Sequence, residues 1–248
     1  VVLMEEAAPA QMLTPADRVV MISGASRGIG LAIARRLAGE GYRLSLGLRD
    51  PRRFAAAGFD PERILVHRFD ALEPASAGDW VAATAARFGR IDALINNAGI
   101  LRAIDFETGD EAVLDEVWAV NVKAPFRLIC QALPHLAQAG NGRIINIAST
   151  DGKRYRPGVS IAYTMSKHAV MALTQAAKFA GWDRGVRATA LCPGAVDTDL
   201  ISGIPGVTPR QDRIAPETLA ETVSFLLRLP NSSSVAELVM NTRLETGI

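Results

Sequence analysis

The sequence predicts a single α/β domain: a doubly wound parallel sheet of about seven strands with helices on both faces. Three observations predict it. Short β-rich apolar runs alternate with segments of helical period from one end of the chain to the other. The strand runs are nearly continuous in apolar residues, as expected where both faces of a strand are covered. The 248 residues suffice for one large core, and no linker, repeat or low-complexity tract divides them.

The elements follow in order. Arg18–Gly24 is an apolar strand that breaks into a glycine-rich turn. Ile29–Glu40 reads as a helix, with Ile29, Ile33 and Leu37 at four-residue spacing and Gly39 and Gly41 ending it. Strands are expected at Arg43–Leu48 and Ile64–Phe69, then a helix at Ala75–Phe88 and a strand at Ile91–Asn96. Glu111–Ala139 reads as one long helix, Arg143–Ser149 as a strand and Ser160–Trp182 as a helix. Val186–Cys192 is a strand, Pro216–Leu229 a helix and Val235–Met240 a last strand. Residues 1–15 read as a flexible leader, and 16–248 as the domain. Asp197–Ala215, rich in Gly, Pro and Thr, has no clear period; a substrate lid and a plain surface loop are both open for it.

Composition excludes several functions. The formal net charge of +1 removes the electrostatic drive for nucleic-acid binding. Only four of the 27 basic residues are lysine: Lys123, Lys153, Lys167 and Lys178. Cys130 and Cys192 cannot build a disulfide framework or a four-ligand zinc site, and His67, His135 and His168 lack ligand spacing, so no metal is expected. No apolar run reaches the ~20 residues that span a bilayer. The first residues carry Glu5 and Glu6 without a basic stretch and apolar core, so no secretory signal is expected and the cytoplasm is the expected compartment.

The turn after the first strand reads Ser23-Gly24-Ala25-Ser26-Arg27-Gly28-Ile29-Gly30. Glycines at a strand-to-helix turn let the backbone approach a pyrophosphate, and the helix N-terminus supplies N–H donors and the positive dipole end. Dinucleotide binding is the expectation, carried by the strand–turn–helix context. Choice of dinucleotide is read at the end of the second strand, where an NAD site usually has an acid for the ribose 2′-OH. Here the segment is Gly47-Leu48-Arg49, with Asp50 one step later. Arg49 and Arg27 suit a 2′-phosphate, so NADP is expected over NAD. The alternative is that Asp50 reaches the ribose or cancels Arg49.

Further along come Asn96-Asn97-Ala98-Gly99, Asn121, Ser149, Tyr163-Thr-Met-Ser-Lys167 and Cys192-Pro193-Gly194-Ala195-Val196-Asp197-Thr198. With these in order, from about Arg18 to Thr198, the sequence resembles the short-chain dehydrogenase/reductase family. The residues carry independent chemistry. Tyr163 and Lys167 share a helix face at i and i+4. A neighbouring ammonium favours the phenolate and is expected to bring Tyr163 below its ordinary pKa of ~10. Ser149 can hydrogen-bond the substrate oxygen.

The resemblance implies a Rossmann fold and hydride transfer between NADP(H) and a ketone or aldehyde/secondary alcohol pair, with Tyr163 as acid/base. It further implies that Lys167 binds the nicotinamide ribose and that Asn121 holds a water of a proton relay. Asp70 would meet the adenine, Asn97, Ala98 and Gly99 would back the adenosine, and Pro193, Gly194, Val196 and Thr198 would line the carboxamide end. A homotetramer or homodimer is expected with a small-molecule substrate. A non-catalytic NADP sensor with the same fold and a methyltransferase are the other readings; neither needs Asn121, Ser149, Tyr163 and Lys167 together.

Two departures stand out. Ser23 replaces the family's usual threonine but keeps the hydroxyl, and the end from Asn231 lacks the usual glycine-rich turn, which argues against a typical fatty-acid-synthesis ketoacyl reductase. Between Ser149 and Tyr163 lie Asp151, Lys153, Arg154 and Arg156. They are read mainly as a solvated or interface loop, and otherwise as a site for an anionic substrate.

Overall fold

The computed structural model describes residues 11–107, 109–202, 204 and 207–244. Seven parallel strands form one sheet: β1 (Val19–Ser23), β2 (Arg43–Leu48), β3 (Ile64–Arg68), β4 (Ala93–Asn96), β5 (Arg143–Ile147), β6 (Arg187–Pro193) and β7 (Glu237–Met240). Their spatial order is β3-β2-β1-β4-β5-β6-β7. The order reverses between β1 and β4, so the crevice at the carboxyl ends of these strands is where an open α/β sheet takes its ligand.

Among the described residues, six α-helices cover the sheet: α1 (Gly28–Gly39), α2 (Ala75–Phe88), α3 (Glu111–Trp118), α4 (Ala124–Gln138), α5 (Ile161–Gly181) and α6 (Pro216–Arg228). The two-residue strand period sorts side chains onto two cores. Val20, Ile22, Ile95 and Ile145 face α1 and α6, where Ile33, Leu37, Leu219, Val223 and Leu227 are buried. Met21, Leu94 and Ile144 face the other side, against Trp80 and Val81 of α2 and Leu128, Ile129, Ala132 and Leu136 of α4. Each such aliphatic side chain contributes about 1.5–3 kcal/mol on full burial. Trp80 also fixes the end of β2: its indole N–H donates to Ser45 Oγ at 2.8 Å, and its ring lies so close to Gly47 that a Cβ there would meet it at 2.6 Å.

The expected long helix Glu111–Ala139 is not one α-helix. Ala119–Lys123 forms a π-helical turn between α3 and α4. Pro125 explains it. Proline has no N–H for the carbonyl four residues back, here that of Asn121, and its ring would crowd that oxygen in a regular helix; the wider turn relieves both.

The expected strand at Ile91 begins at Ala93 instead. Asp92 still bonds both neighbours through its main chain, its N–H to Val19 O at 2.9 Å and its carbonyl from the Arg143 N–H at 3.0 Å, while its carboxylate accepts the Val19 N–H at 2.8 Å and two bonds from Arg90. Within the expected leader, residues 1–10 lie outside the described residues, and the Leu13 N–H bonds the Arg228 carbonyl at 2.7 Å.

In the expected lid, Gly203, Pro205 and Gly206 lie outside the described residues. Its two ends are tied to each other: the Asp197 N–H bonds the Ile214 carbonyl at 2.9 Å, Val196 bridges Ile214 in parallel, and Arg210 reaches the Asp197 carboxylate at 3.0 Å.

Candidate active site

The glycine turn is built for close approach. Gly24 and Gly28 have φ of +68° and +54°, a region that side chains rarely adopt. A Cβ on Gly24 would lie 2.9 Å from Ala98 Cα, and one on Gly30 would lie 2.4 Å from the Gly24 carbonyl oxygen. Ser23 staples the turn to the segment after β4. Its hydroxyl accepts the N–H groups of Asn97 and Ala98, both at 3.0 Å, and donates to Ile95 O. The Asn97 amide donates to the carbonyls of Ser23 and Gly24. The hydroxyl kept at position 23 therefore has a structural task. Arg27, at the N-cap of α1, offers no side-chain cap, and the first turn carries no acid. The helix start is left with free donors and an uncompensated positive end, a fit for a pyrophosphate.

A cleft of about 460 Å³ runs from this turn across the sheet. Gly24, Ser26, Arg27, Gly28, Ile29, Arg49 and Asp70 line one half; Asn97, Ala98, Gly99, Ser149, Tyr163, Lys167, Pro193, Gly194, Val196 and Thr198 line the other. Gly30 and Asn121 do not line it. Gly30 lies beneath the turn. Asn121, in the π-helical turn, accepts the Ile100 N–H at 2.9 Å and donates to Ile100 O and Ser166 Oγ. Both of its side-chain donors are thus taken.

Ser149, Tyr163 and Lys167 are all buried. Ser149 leaves the end of β5, and its hydroxyl accepts the Asp151 N–H at 3.0 Å. Ser160 caps α5 by accepting the Tyr163 N–H, which seats Tyr163 in the first turn of the helix. Lys167, one turn on, donates to Ile147 O at 2.8 Å, and its Nζ lies 5.4 Å from the Tyr163 ring centre.

The expectation that Lys167 lowers the phenol pKa is corrected here. Burial pushes the Tyr163 phenol well above the ordinary tyrosine range, Asp151 pushes the same way, and the hydrogen bond with Ser149 pulls against them. Lys167 is itself buried, which lowers it to about 8. Desolvation is the largest cause for both groups. Burial also pushes the Cys192 thiol up to about 11, far from a reactive thiolate.

Three charged residues of the cleft, Arg102, Glu116 and Asp199, were not singled out by the sequence reading. Arg102 and Glu116 both line the cleft and pair in a fork, each contact at 3.0 Å. Arg102 stands three residues after Gly99, the one signal that could have found it. Arg27 pairs with Asp199 at 2.8 Å across the cleft mouth, with side chains 74% and 73% exposed. Asp50 is engaged by the backbone and guanidinium of Arg52. Asp70 accepts the Leu72 N–H at 3.0 Å. Among the described residues, no group of His, Cys, Asp and Glu could hold a metal ion.

The segment read mainly as a solvated loop is an internal clasp. Asp151 is 8% exposed and receives Arg154 at 3.0 Å and Arg156 at 3.1 Å. Lys153 pairs with Glu237.

Comparison with known proteins agrees with this geometry. The family model described as short chain dehydrogenase matches residues 18–205. Agropine synthesis reductase of Rhizobium rhizogenes is 40% identical over 220 residues, which cover 88% of this chain and 50% of that protein. This chain thus spans about half the length of that relative. The crystal structure of 3-ketoacyl-(acyl-carrier-protein) reductase from Brucella melitensis complexed with NADH superposes with a TM-score of 0.84 at 27% identity, covering 92% of this chain and 98% of that one. The alcohol dehydrogenase from the archaeon Thermococcus sibiricus, complexed with 5-hydroxy-NADP, gives 0.80 at 32% identity over 90% and 95%. A family match over most of the chain, together with a glycine cradle, Ser149, Tyr163 and Lys167 on one cleft, means that the chain belongs to the short-chain dehydrogenase/reductase family.

Proposed function

We propose that the chain is an oxidoreductase transferring a hydride between NADP(H) and a ketone or aldehyde/secondary alcohol pair, with Tyr163 as the acid/base. The observation that carries this reading is the convergence of Ser149, Tyr163 and Lys167 on the same cleft as the glycine turn. Bound at that turn, the dinucleotide supplies or takes the hydride. The chain's own residues handle the oxygen and the proton. Ser149, one lone pair occupied by the Asp151 N–H, donates its hydroxyl to the substrate oxygen. Tyr163, kept protonated by burial, gives its proton to the same oxygen as charge develops there. Lys167, with its pKa near 8, is largely cationic at neutral pH and steadies the phenolate left behind. It also serves as the donor to the nicotinamide ribose. Asn121 keeps a water of the proton relay through its main chain, since its side chain is committed elsewhere.

NADPH oxidation followed by absorbance across a panel of ketones, aldehydes and diketones tests the reading. Nucleotide binding without turnover on any of them would favour the sensor instead. No observation favours the methyltransferase.

Arg49 is the residue on which preference for NADP rests, because Arg27 is shared with Asp199. Arg49 is exposed and lines the cleft, and among the described residues it has no ion-pair partner. NADPH is expected to bind about ten- to a hundredfold tighter than NADH, the size of one charge-assisted contact. Arg49→Asp should shift preference toward NAD. Equal dissociation constants for the two reduced cofactors would overturn the assignment.

The compartment proposed is the cytoplasm, which suits two unpaired cysteines. No described helix is long and apolar enough to cross a membrane. A homotetramer or homodimer is proposed because α4 and α5 expose Phe126, Met165 and Phe179. Light scattering at micromolar concentration should give a multiple of 26.4 kDa; a monomer would overturn this.

A further inference from the structure

The turn that follows Ser149 is more constrained than a connector needs to be. Asp151 and Gly152 close a single helical turn, with the Gly152 N–H bonded to Ser149 O at 3.0 Å. A Cβ on Gly152 would lie 2.8 Å from the Lys167 carbonyl oxygen, so the turn is wedged against α5 at the level of the catalytic lysine. The Asp151 carboxylate is buried, and Arg154 and Arg156 hold one of its oxygens by three contacts of 3.0–3.1 Å. A buried carboxylate is costly unless paired, so the two guanidiniums are what allow it there. A connector needs no such charge. An apolar residue at position 151 would pack this turn without it.

We propose that Asp151 is a positioning residue serving both hydroxyls of the site: its N–H holds the Ser149 oxygen, and its carboxylate, anchored by Arg154 and Arg156, sets a negative charge beside Tyr163. This rests on the reading of Tyr163 as the acid/base. Burial is the larger cause of the raised Tyr163 phenol, and the Asp151 charge disfavours the phenolate in the same direction. Other charged groups line the cleft: Lys167 on α5, Arg27 and Arg49 by the glycine turn, Asp70 after β3, Arg102 after β4, Glu116 on α3, and Asp197 and Asp199 after β6. Of the groups beside the phenol, Asp151 opposes its ionisation and Ser149 favours it. The clasp thereby adds to burial in holding the proton on Tyr163, so reduction keeps its acid to higher pH and oxidation gains its base only at higher pH.

The test has a sign. Asp151→Asn keeps the N–H and the shape but removes the charge. Titration of Tyr163 should then begin lower by roughly 0.5–1 pH unit. The chain has only three tyrosines, Tyr42, Tyr155 and Tyr163, so tyrosinate absorbance measured against Tyr163→Phe in the same background isolates that one group without any substrate. Arg156→Gln leaves Asp151 less neutralised and should move the titration the other way, which keeps the proposal testable if the first variant fails to fold. Asp151→Glu should restore the original titration. The alkaline limb of alcohol oxidation should follow the same order. Unchanged titrations, or shifts of one sign in both variants, would reduce Asp151 to a structural anchor and overturn the proposal. A Tyr163→Phe chain that kept its turnover would instead defeat the acid/base reading.

Discussion

Replacing Tyr163 by Phe is expected to lower turnover by about 10²–10⁴-fold while NADPH binding persists, because the ring stays and only the proton donor goes. The pH dependence follows from the two buried groups. Reduction needs both the phenol and the Lys167 ammonium protonated. Burial raises the first and lowers the second to about 8, so the ammonium is lost first and reduction should fall as pH rises through about 8. Oxidation needs the phenolate and should keep rising into the alkaline range, with no plateau below ~10, the free-tyrosine value. Because the two groups interact, the limbs belong to the pair rather than to either residue. Initial rates in both directions from pH 6 to 10 check this. A Tyr163→Phe enzyme retaining most of its rate would mean that the proton comes from elsewhere.

That pH dependence is the reverse of what the sequence alone suggests, and the reason is physical. The i, i+4 spacing of Tyr163 and Lys167 says that they share a face. It does not say that the face is desolvated, and burial decides the direction here. The sheet was legible for the opposite reason. Strands such as Val19–Ser23 and Arg143–Ile147 are covered on both sides, so their apolar runs announce themselves. The cradle was legible because its glycines stand between a readable strand and a readable helix, the context that turns a plain tight connection into a phosphate site. Less legible was the π-helical turn around Asn121, although Pro125 was its signal: a proline there leaves the Asn121 carbonyl without its regular helical N–H.

Contacts between distant segments were not legible at all. Arg27 meets Asp199 across 172 residues, which weakens the expectation that both arginines serve a 2′-phosphate. Asp151, Arg154 and Arg156 looked like a charge run, and charge runs are usually solvated. Only the close approach of Gly152 to α5 turns that run inward. Arg102 and Glu116 come together from a loop and a helix 14 residues apart, and nothing in their local pattern marks the pair.

Gly30→Ala is expected to be the most damaging single-methyl change in the chain's nucleotide half. The added Cβ would stand 2.4 Å from Gly24 O, 2.5 Å from Asn97 Nδ2 and 3.0 Å from Ala25 Cα. Two of these are backbone atoms of the turn. The third cannot swing away cheaply, because the Asn97 amide holds the carbonyls of Ser23 and Gly24. Relief therefore requires the turn to open, at about 1–3 kcal/mol of stability. For a chain of this size each kcal/mol lowers the melting temperature by roughly 2–4 °C. The same opening displaces the free N–H groups at the start of α1, so NADPH affinity should fall at least about tenfold, or 1.4 kcal/mol. Gly39→Ala is the internal control. It is the last residue of the same helix with nothing within 4 Å of its added Cβ, and should leave NADPH binding alone while stabilising by at most about 0.5 kcal/mol through helix propensity. Thermal melts and NADPH fluorescence titrations on the two variants separate crowding at the turn from a general response to filling a glycine. A Gly30→Ala chain with the melting temperature and NADPH affinity of its parent would show that the turn yields without cost, and the cradle would lose its claim to the pyrophosphate.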